Sequence, residues 1–485
     1  MEHLSALDAT FIQAEDSDPH VSLAVGGVSI VAGPAPDFAD LVDELSLRLA
    51  SIPRCTQRLR SRTLDVGPPQ WVPDPRFDLS HHVHRIALPR PGDDAELFGA
   101  VASIMERRLD RERPLWECWI IEGLRDDRWA MLMKIHHCIA DGIAATRMVA
   151  KLADTDTDPD PDTDPDKTGA TFAGDIRGAK ESGGSGAPLH WPSLNPLDWA
   201  GDLWHVTSSA VGAVEHAVVG AVELTAGVLS ATPGSTLNGS LSTMRRFSAA
   251  RVDLAKLVEV RRAFDVTLND VALAAITGSY RSLLLSRGEK PGPDALRTLI
   301  PVSTRSADDL DVTDNRVSAM LPLLPVDEAD PVKRLTLVHE RLTRAKGSGQ
   351  REGASALFTA AQGIPFALSA WTIRLLTRLP QKSVTALATN VPGPRGRQYI
   401  MGREVLEILP ITPIALHLRT AIAMLSYADR FFFGVTADFD SAPDVDALTA
   451  GIEDEVRQLV EITRSQARKG PCARSTMTDG SRSAR

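Results

Sequence analysis

Apolar and polar positions along this chain follow two rhythms. Residues 38–52 repeat at helical spacing, with Leu41, Leu45 and Leu49 on one face, and residues 95–109 read as a second helix. Residues 22–31, 116–121 and 129–135 read as strands, the last a continuous apolar run of the kind that is buried on both faces. A helix is expected over 143–152. Strands mixed with long helices predict an α/β sandwich for this first unit. A second unit begins near Arg245. Its expected helices cover 254–264, 270–287, 332–345, 366–379 and 445–464, and its strands 298–302, 316–326, 385–391, 420–427 and 431–437. The two units do not repeat visibly in sequence, which leaves a shared fold open.

Between them the pattern breaks down. Residues 154–166 alternate Asp with Thr and Pro, and residues 169–186 are rich in Gly and Ser, as in a flexible, solvated linker. The alternating aspartates lack the turn glycine and closing glutamate of a calcium loop. Residues 191–232, rich in Ala, Val and Gly, read as one or two amphipathic helices. They suit packing between domains better than a membrane surface, because the basic polar face is missing. The expected organisation is a first domain over 1–153, a linker over 154–190, a helical connector over 191–244, a second domain over 245–467 and a disordered tail over 468–485.

Composition narrows the class. A chain of 485 residues with 43% hydrophobic positions holds enough apolar material for two cores. A net charge of −10 argues against a nucleic-acid partner. Cys55, Cys118, Cys138 and Cys472 lie far apart, with no pairing framework, which points to a reducing, cytoplasmic setting. Residues 1–18 are acidic and do not read as a signal peptide. No uncharged apolar run reaches the ~18 residues that span a bilayer, so any membrane contact is expected to be peripheral.

The densest chemistry lies at Lys134 to Gly142, Lys-Ile-His-His-Cys-Ile-Ala-Asp-Gly. A histidine at the end of a strand, before a turn that opens a helix, is mounted to project into a cleft. Bland readings compete with that one. Paired histidines fill cores or bind metal, and His81, His82 and His84 are the nearest source of a third ligand. Asp141, just before a helix, suits an N-cap. Gly142 allows a tight turn. Cys138 has apolar neighbours, Ile139 and Ala140, and such thiols are usually inert.

The pattern HHxxxDG resembles the signature of the CoA-dependent acyltransferase superfamily. Further segments resemble the bacterial wax ester synthase/diacylglycerol acyltransferase family, in its order. They are Leu4-Ser5-Ala6-Leu7-Asp8-Ala9, with Ala6 where proline is common, and Pro114-Leu115-Trp116-Glu117. Leu237-Asn238-Gly239, Arg245-Arg246, Asn269-Asp270 and Pro301-Val302-Ser303-Thr304-Arg305 follow. Asn315 with Ser318, Thr389-Asn390-Val391-Pro392-Gly393-Pro394, and Ser426-Tyr427 with Gly434 and Asp438 complete the series. The likeness spans residues 4–465. It implies two chloramphenicol-acetyltransferase-like domains with the active site at their interface. It also implies an O-acyltransferase that moves a long-chain acyl group from acyl-CoA, a co-substrate, to diacylglycerol or a fatty alcohol. The protein is then expected to be cytoplasmic, in peripheral contact with the inner membrane face or lipid droplets. No metal or other cofactor is expected, and the oligomeric state stays open.

The residue roles follow from the same likeness. The histidine three residues before Asp-Gly is the superfamily's base, which is His137 here. A neutral imidazole can take the acceptor's proton and return one to the leaving thiolate, since its pKa lies near working pH. His136 is a supporting or structural residue. Asp141 is mainly structural, paired with an arginine for which Arg305 is a candidate, though Arg305 fits solvent equally. Asn269 and Asp270 are substrate or oxyanion candidates beside a backbone N–H, and Asn269 also reads as an N-cap. Trp116 reads as core. Two other classes are weighed against this. A condensation-type enzyme shares HHxxxDG, but the PLWE and ND segments argue against it. A silent lipid-droplet coat is disfavoured by the intact motif.

Overall fold

The structure is a computed structural model, and it describes residues 3–49, 52–60, 69–139, 145, 148, 151–154, 235–303, 317–347, 384–394 and 396–469. The first half runs α1 (Ala6–Ser17), β1 (Ala24–Ala32), α2 (Phe38–Leu49), β2 (Gln57–Arg60), β3 (Gln70–Pro73), β4 (Val83–Ala87), α3 (Asp94–Met105), β5 (Trp116–Leu124) and β6 (Arg128–His136). The second half runs β7 (Arg245–Asp253), α4 (Leu254–Phe264), α5 (Leu268–Ser286), β8 (Thr298–Ser303), β9 (Val317–Met320), α6 (Pro331–Gly347) and β10 (Ala386–Val391). It continues with β11 (Tyr399–Ile400), β12 (Arg403–Ile411), β13 (Thr420–Tyr427), β14 (Arg430–Asp438) and α7 (Val445–Lys469). No helix among the described residues is long and apolar enough to cross a membrane.

Each half is built on a six-stranded mixed sheet, as an α/β sandwich requires. The orders are β11-β12-β1-β6-β5-β4 and β7-β14-β13-β10-β8-β9. Within them the four strands β1-β6-β5-β4 match β7-β14-β13-β10. In both sets the first two pairings are antiparallel and the last is parallel. The halves thus share a topology that their sequences do not display.

Several elements depart from the sequence-based expectations. The strand expected over 316–326 pairs with β8 only from Val317 to Met320, because Pro322 and Pro325 lack the N–H that a ladder needs. The second domain, expected over 245–467, lends β11 and β12 to the first half's sheet, where β12 pairs with β1. Ile400, Val405, Ile408, Leu409 and Ile411 therefore belong to the first core. Asp154, expected to open the flexible linker, is tied into the first half. Its carboxylate accepts from Arg48 at 2.7 Å and from the N–H groups of Met401 and Gly402 at 3.2 and 2.8 Å. The helix expected over 143–152 is seen at Ala145, Met148 and Lys151. The helix expected over 366–379, the rest of the linker, the connector up to residue 234 and the tail from 470 lie outside the described residues.

The halves are joined by polar and steric devices. Arg251 of β7 donates to Glu407 of β12 at 2.7 Å and to Asp94 of α3 at 2.7 Å, and Arg430 reaches Glu407 at 3.2 Å. Where β12 crosses β14, a Cβ on Gly434 would lie 1.8 Å from the Pro410 carbonyl oxygen, so only glycine permits the crossing. Gly393 faces the same constraint, with the Ser426 carbonyl oxygen 1.8 Å from where its Cβ would be. The Pro-Gly-Pro segment thus seats its glycine against β13.

Candidate active site

β6 is an inner strand, covered on both faces, and every residue from Trp129 to His136 is buried. That is why residues 129–133 are continuously apolar rather than alternating. The strand ends at His136, and residues 137–139 form a turn. The His136 N–H donates to the Leu115 carbonyl at 3.0 Å, and the His137 N–H to the Leu23 carbonyl at 2.9 Å. Each histidine backbone is thus clamped to a different neighbour, the segment before β5 and the segment before β1.

The two side chains have different surroundings. His136 is 1% exposed. Its Nδ1 accepts the Cys138 N–H at 3.1 Å, so the ring proton sits on Nε2, facing the Glu15 carboxylate. That contact is 3.5 Å, the outer limit of a hydrogen bond. His137 is half-buried, and its ring stacks on Phe11 with centroids 4.1 Å apart and planes 19° from parallel. Phe11 and Leu23 pack in one apolar cluster with Leu241, Leu387, Ile414 and Ala421 of the second half. His137 therefore stands at the seam between the halves.

The supports beneath the histidines come from segments whose role the spacing left unread. Helix α1 is capped by Ser5, whose hydroxyl accepts the Asp8 N–H at 3.0 Å. Phe11 and Glu15, four residues apart, then share a face and meet one histidine each. A Ser-x-x-Asp cap ahead of an apolar residue was the available signal. Glu15 is 1% exposed. Burial raises its pKa. The hydrogen bond and charge of His136, then Arg111 and the Leu23 N–H, outweigh that and hold it at about 2. Arg111, at 2.8 Å, is the fixed positive charge against it.

Trp116 and Glu117 of the Pro-Leu-Trp-Glu segment have structural roles. Trp116 is fully buried, as expected, with Nε1 donating to the Cys55 carbonyl at 2.9 Å. Glu117 lies opposite Lys134 across the β5–β6 pair, 3.7 Å from its Nζ. Lys134 is fully buried and donates to the carbonyls of Ile104 and Arg107 at 2.8 and 2.6 Å, closing the C-terminal end of α3. Burial pushes its pKa down, and Glu117 opposes that.

Other candidates fall elsewhere. Asp141, Gly142 and Arg305 lie outside the described residues. Asn269 is not the N-cap of α5, since Thr267 is, in a reciprocal capping box with Asp270. The Asp270 carboxylate accepts from the Thr267 N–H at 2.9 Å and from His339 Nδ1 at 2.7 Å. A carboxylate so placed is an acceptor and a cap, not an oxyanion donor, which corrects that reading of Asp270. Asn269 Oδ1 takes a long hydrogen bond from Asn390 at 3.4 Å, joining two of the likeness's segments. Cys138 is buried, and burial, then the charges of Asp8 and Glu15, push its pKa well up, against a thiolate nucleophile. His82 donates Nδ1–H to the Trp116 carbonyl at 2.8 Å and stacks on that indole, while His84 lies against Trp119. Both serve the β4–β5 edge.

Comparison with known proteins agrees with this geometry. The profile of the wax ester synthase/diacylglycerol acyltransferase catalytic domain matches residues 4–272, and that of the WS/DGAT C-terminal domain matches residues 313–460. A Mycobacterium tuberculosis protein named probable diacylglycerol O-acyltransferase tgs1 is 50% identical, over 96% of this chain and 97% of its own. The O-acyltransferase WSD of Acinetobacter baylyi is 27% identical, over 96% of this chain and 98% of its own. Among solved structures, the wax ester synthase/diacylglycerol acyltransferase of Marinobacter aquaeolei superposes with a TM-score of 0.66 at 25% identity, over 96% of this chain and 100% of that one. The first condensation domain of the calcium-dependent antibiotic synthetase shares the fold, with a TM-score of 0.60 at 14% identity, over 96% of each chain. With a half-buried histidine at the seam of two like sheets, and matches along nearly its whole length, the chain belongs to the wax ester synthase/diacylglycerol acyltransferase family.

Proposed function

We propose that this enzyme transfers a long-chain acyl group from acyl-CoA to the hydroxyl of diacylglycerol, yielding a triacylglycerol. A fatty alcohol, yielding a wax ester, is the second acceptor. The observation that carries this reading is His137, half-buried at the seam with its ring seated on Phe11, in a chain of this family. Diacylglycerol comes first because the relative at 50% identity bears that name.

In the proposed mechanism donor and acceptor are bound together. His137 takes the proton of the acceptor hydroxyl as its oxygen attacks the thioester carbonyl. The tetrahedral intermediate collapses, the C–S bond breaks, and the imidazolium returns the proton to the CoA sulfur. The cycle needs no acyl-enzyme, which suits the raised pKa of Cys138, and draws on no metal. General-base assistance of this kind is worth roughly 10²–10⁴-fold. His136 holds the turn through its ring and backbone. Asn269 or a backbone N–H faces the developing oxyanion, and Asp141 keeps the turn's architecture. Both substrates partition into lipid, so we place the enzyme on the cytoplasmic side, at the surface of the membrane or of lipid droplets.

The test is CoA release by the purified protein with palmitoyl-CoA, with and without dioleoylglycerol or hexadecanol. Acceptor-dependent release that disappears in a folded His137→Ala variant is the expected result. Full activity in that variant would overturn the assignment of the base.

A further inference from the structure

Glu15 occupies an unusual node. It is a buried carboxylate on a helix outside the histidine motif, and its two oxygens serve different partners. Oε1 accepts the Leu23 N–H at 3.0 Å. The Leu23 carbonyl in turn accepts the His137 N–H at 2.9 Å. Oε2 faces His136 Nε2 at 3.5 Å and receives Arg111 at 2.8 Å. His136 Nδ1 then receives the Cys138 N–H, in the turn that carries His137. Two chains of contact therefore leave one carboxylate and meet at His137, one through the backbone of Leu23 and one through the ring of His136.

We propose that Glu15 is a positioning residue for the transfer reaction, holding His137 in register and supplying a fixed negative charge beneath the histidine turn. The inference rests on the function proposed above. An isolated buried carboxylate is costly, and tying down one helix does not demand an acid that reaches two strands. The charged and titratable groups facing it are Asp8 and Asp16 on its own helix, Arg108 and Arg111 after α3, Lys134 and His136 on β6, and Cys138 in the turn. Arg111 is shared, pairing with Asp16 at 2.5 Å on the solvent side. Asp16 thus offers a control that touches the same guanidinium but neither Leu23 nor His136.

The experiment compares Glu15→Gln, Glu15→Asp and Asp16→Asn with the wild-type full-length protein. Steady-state CoA release is measured across pH, and 15N-histidine spectra follow the ring protons. A misplaced base is worth up to about 10²-fold in rate, so Glu15→Gln is expected to lower kcat about ten- to a hundredfold with KM for acyl-CoA unchanged. Losing the negative charge makes the imidazolium easier to deprotonate. The acid limb of kcat/KM and the His137 titration should therefore both move to lower pH. Glu15→Asp keeps the charge but is one methylene short, so it should keep the limb in place and regain part of the rate. Asp16→Asn should match wild type in kcat, KM, the acid limb and the His137 titration.

A merely structural Glu15 would change thermal stability while leaving the pH limb and the His137 titration where they were. That outcome, or equal losses in Asp16→Asn, overturns the proposal. If the wild-type protein shows no acceptor-dependent release, the proposed function fails instead. The His137 titration still decides the role of Glu15, because it needs no turnover.

Discussion

The two halves end their matching strands in the same way and do different things there. At the end of β6, His136 lies opposite Ala24, and the next N–H, of His137, goes to the Leu23 carbonyl. At the end of β14, Asp438 lies opposite Arg245, and the next N–H, of Phe439, goes to the Met244 carbonyl. An aromatic ring follows in both. His137 sits on Phe11, and Phe439 sits under the Arg246 guanidinium, 4.0 Å from its ring centre. The backbone device for mounting a ring at a strand end is thus common to both halves.

The difference lies in the ring and in the carboxylate beside it. In the second half the carboxylate is on the strand itself, and its oxygens are committed to the turn. Asp438 accepts the N–H and hydroxyl of Ser242 at 2.6 and 2.9 Å, and those of Ser441 at 3.0 and 2.6 Å. Burial raises its pKa, but these hydrogen bonds bring it below the ordinary range. In the first half the strand position is a histidine, and the carboxylate arrives from a separate helix as Glu15. One arrangement locks a turn, and the other presents a titratable ring to the seam. Topology supplies the mount, and residue identity supplies the chemistry.

The largest effects should separate the two rings. His137→Ala is expected to lower kcat by roughly 10²–10⁴-fold with an unchanged circular-dichroism spectrum. Phe439→Ala should leave kcat near wild type and lower only the unfolding midpoint. Equal kinetic losses at both positions would break the comparison. Next is Asp438→Ala, which removes the acceptor of Ser242 and Ser441 and the carboxylate 3.9 Å from the buried Arg245. Denaturant titration should show a loss of about 3–5 kcal/mol, with activity retained at low temperature. A protein of full stability would mean that this carboxylate does not lock the turn.

Acid pH tests the other carboxylate. Glu15 is held at about 2 when folded, against roughly 4.3 for an unperturbed glutamate. Its stabilisation is complete above the unfolded value and is lost as pH falls through about 4.3 toward about 2. The urea midpoint of the wild type should therefore fall more steeply over that window than that of Glu15→Gln, whereas parallel curves would contradict the ion pairing. The smallest effect concerns Cys138. Its raised pKa predicts that Cys138→Ala keeps its turnover and that iodoacetamide does not inactivate the native protein. Inactivation that the variant escapes would reopen a covalent route.

Much of the first half was legible because its signals are local. The buried run 129–135, the turn after it and the helical repeat at Leu41, Leu45 and Leu49 each depend on residues close in sequence. The strand β7 and the pair β11–β12 were not read, because β12 lies in the sheet of the other half and its apolar pattern has no local partner. Asn269 and Asp270 were visible as a motif, but the cap belongs to Thr267, and Asp270 is paired with His339, 69 residues away. The glycines of Thr-Asn-Val-Pro-Gly-Pro and of β14 were visible as motif positions. Their reason, a carbonyl approaching from another strand, is a fact of packing alone.

The sequence by itself determined the fold class, the histidine pair at a strand end and the family, because periodicity and motif spacing survive in one dimension. The tertiary structure alone decided which groups touch those histidines. Phe11, Glu15 and Leu23 lie more than a hundred residues before them and meet them only when β1 pairs with β6. It also decided that the two halves share one strand order, since a topology is kept by hydrogen-bonded neighbours whose side chains are free to diverge. The seam itself exists because β12 leaves its own half to extend the other sheet, a choice made by burial and pairing over long range rather than by any residue near it.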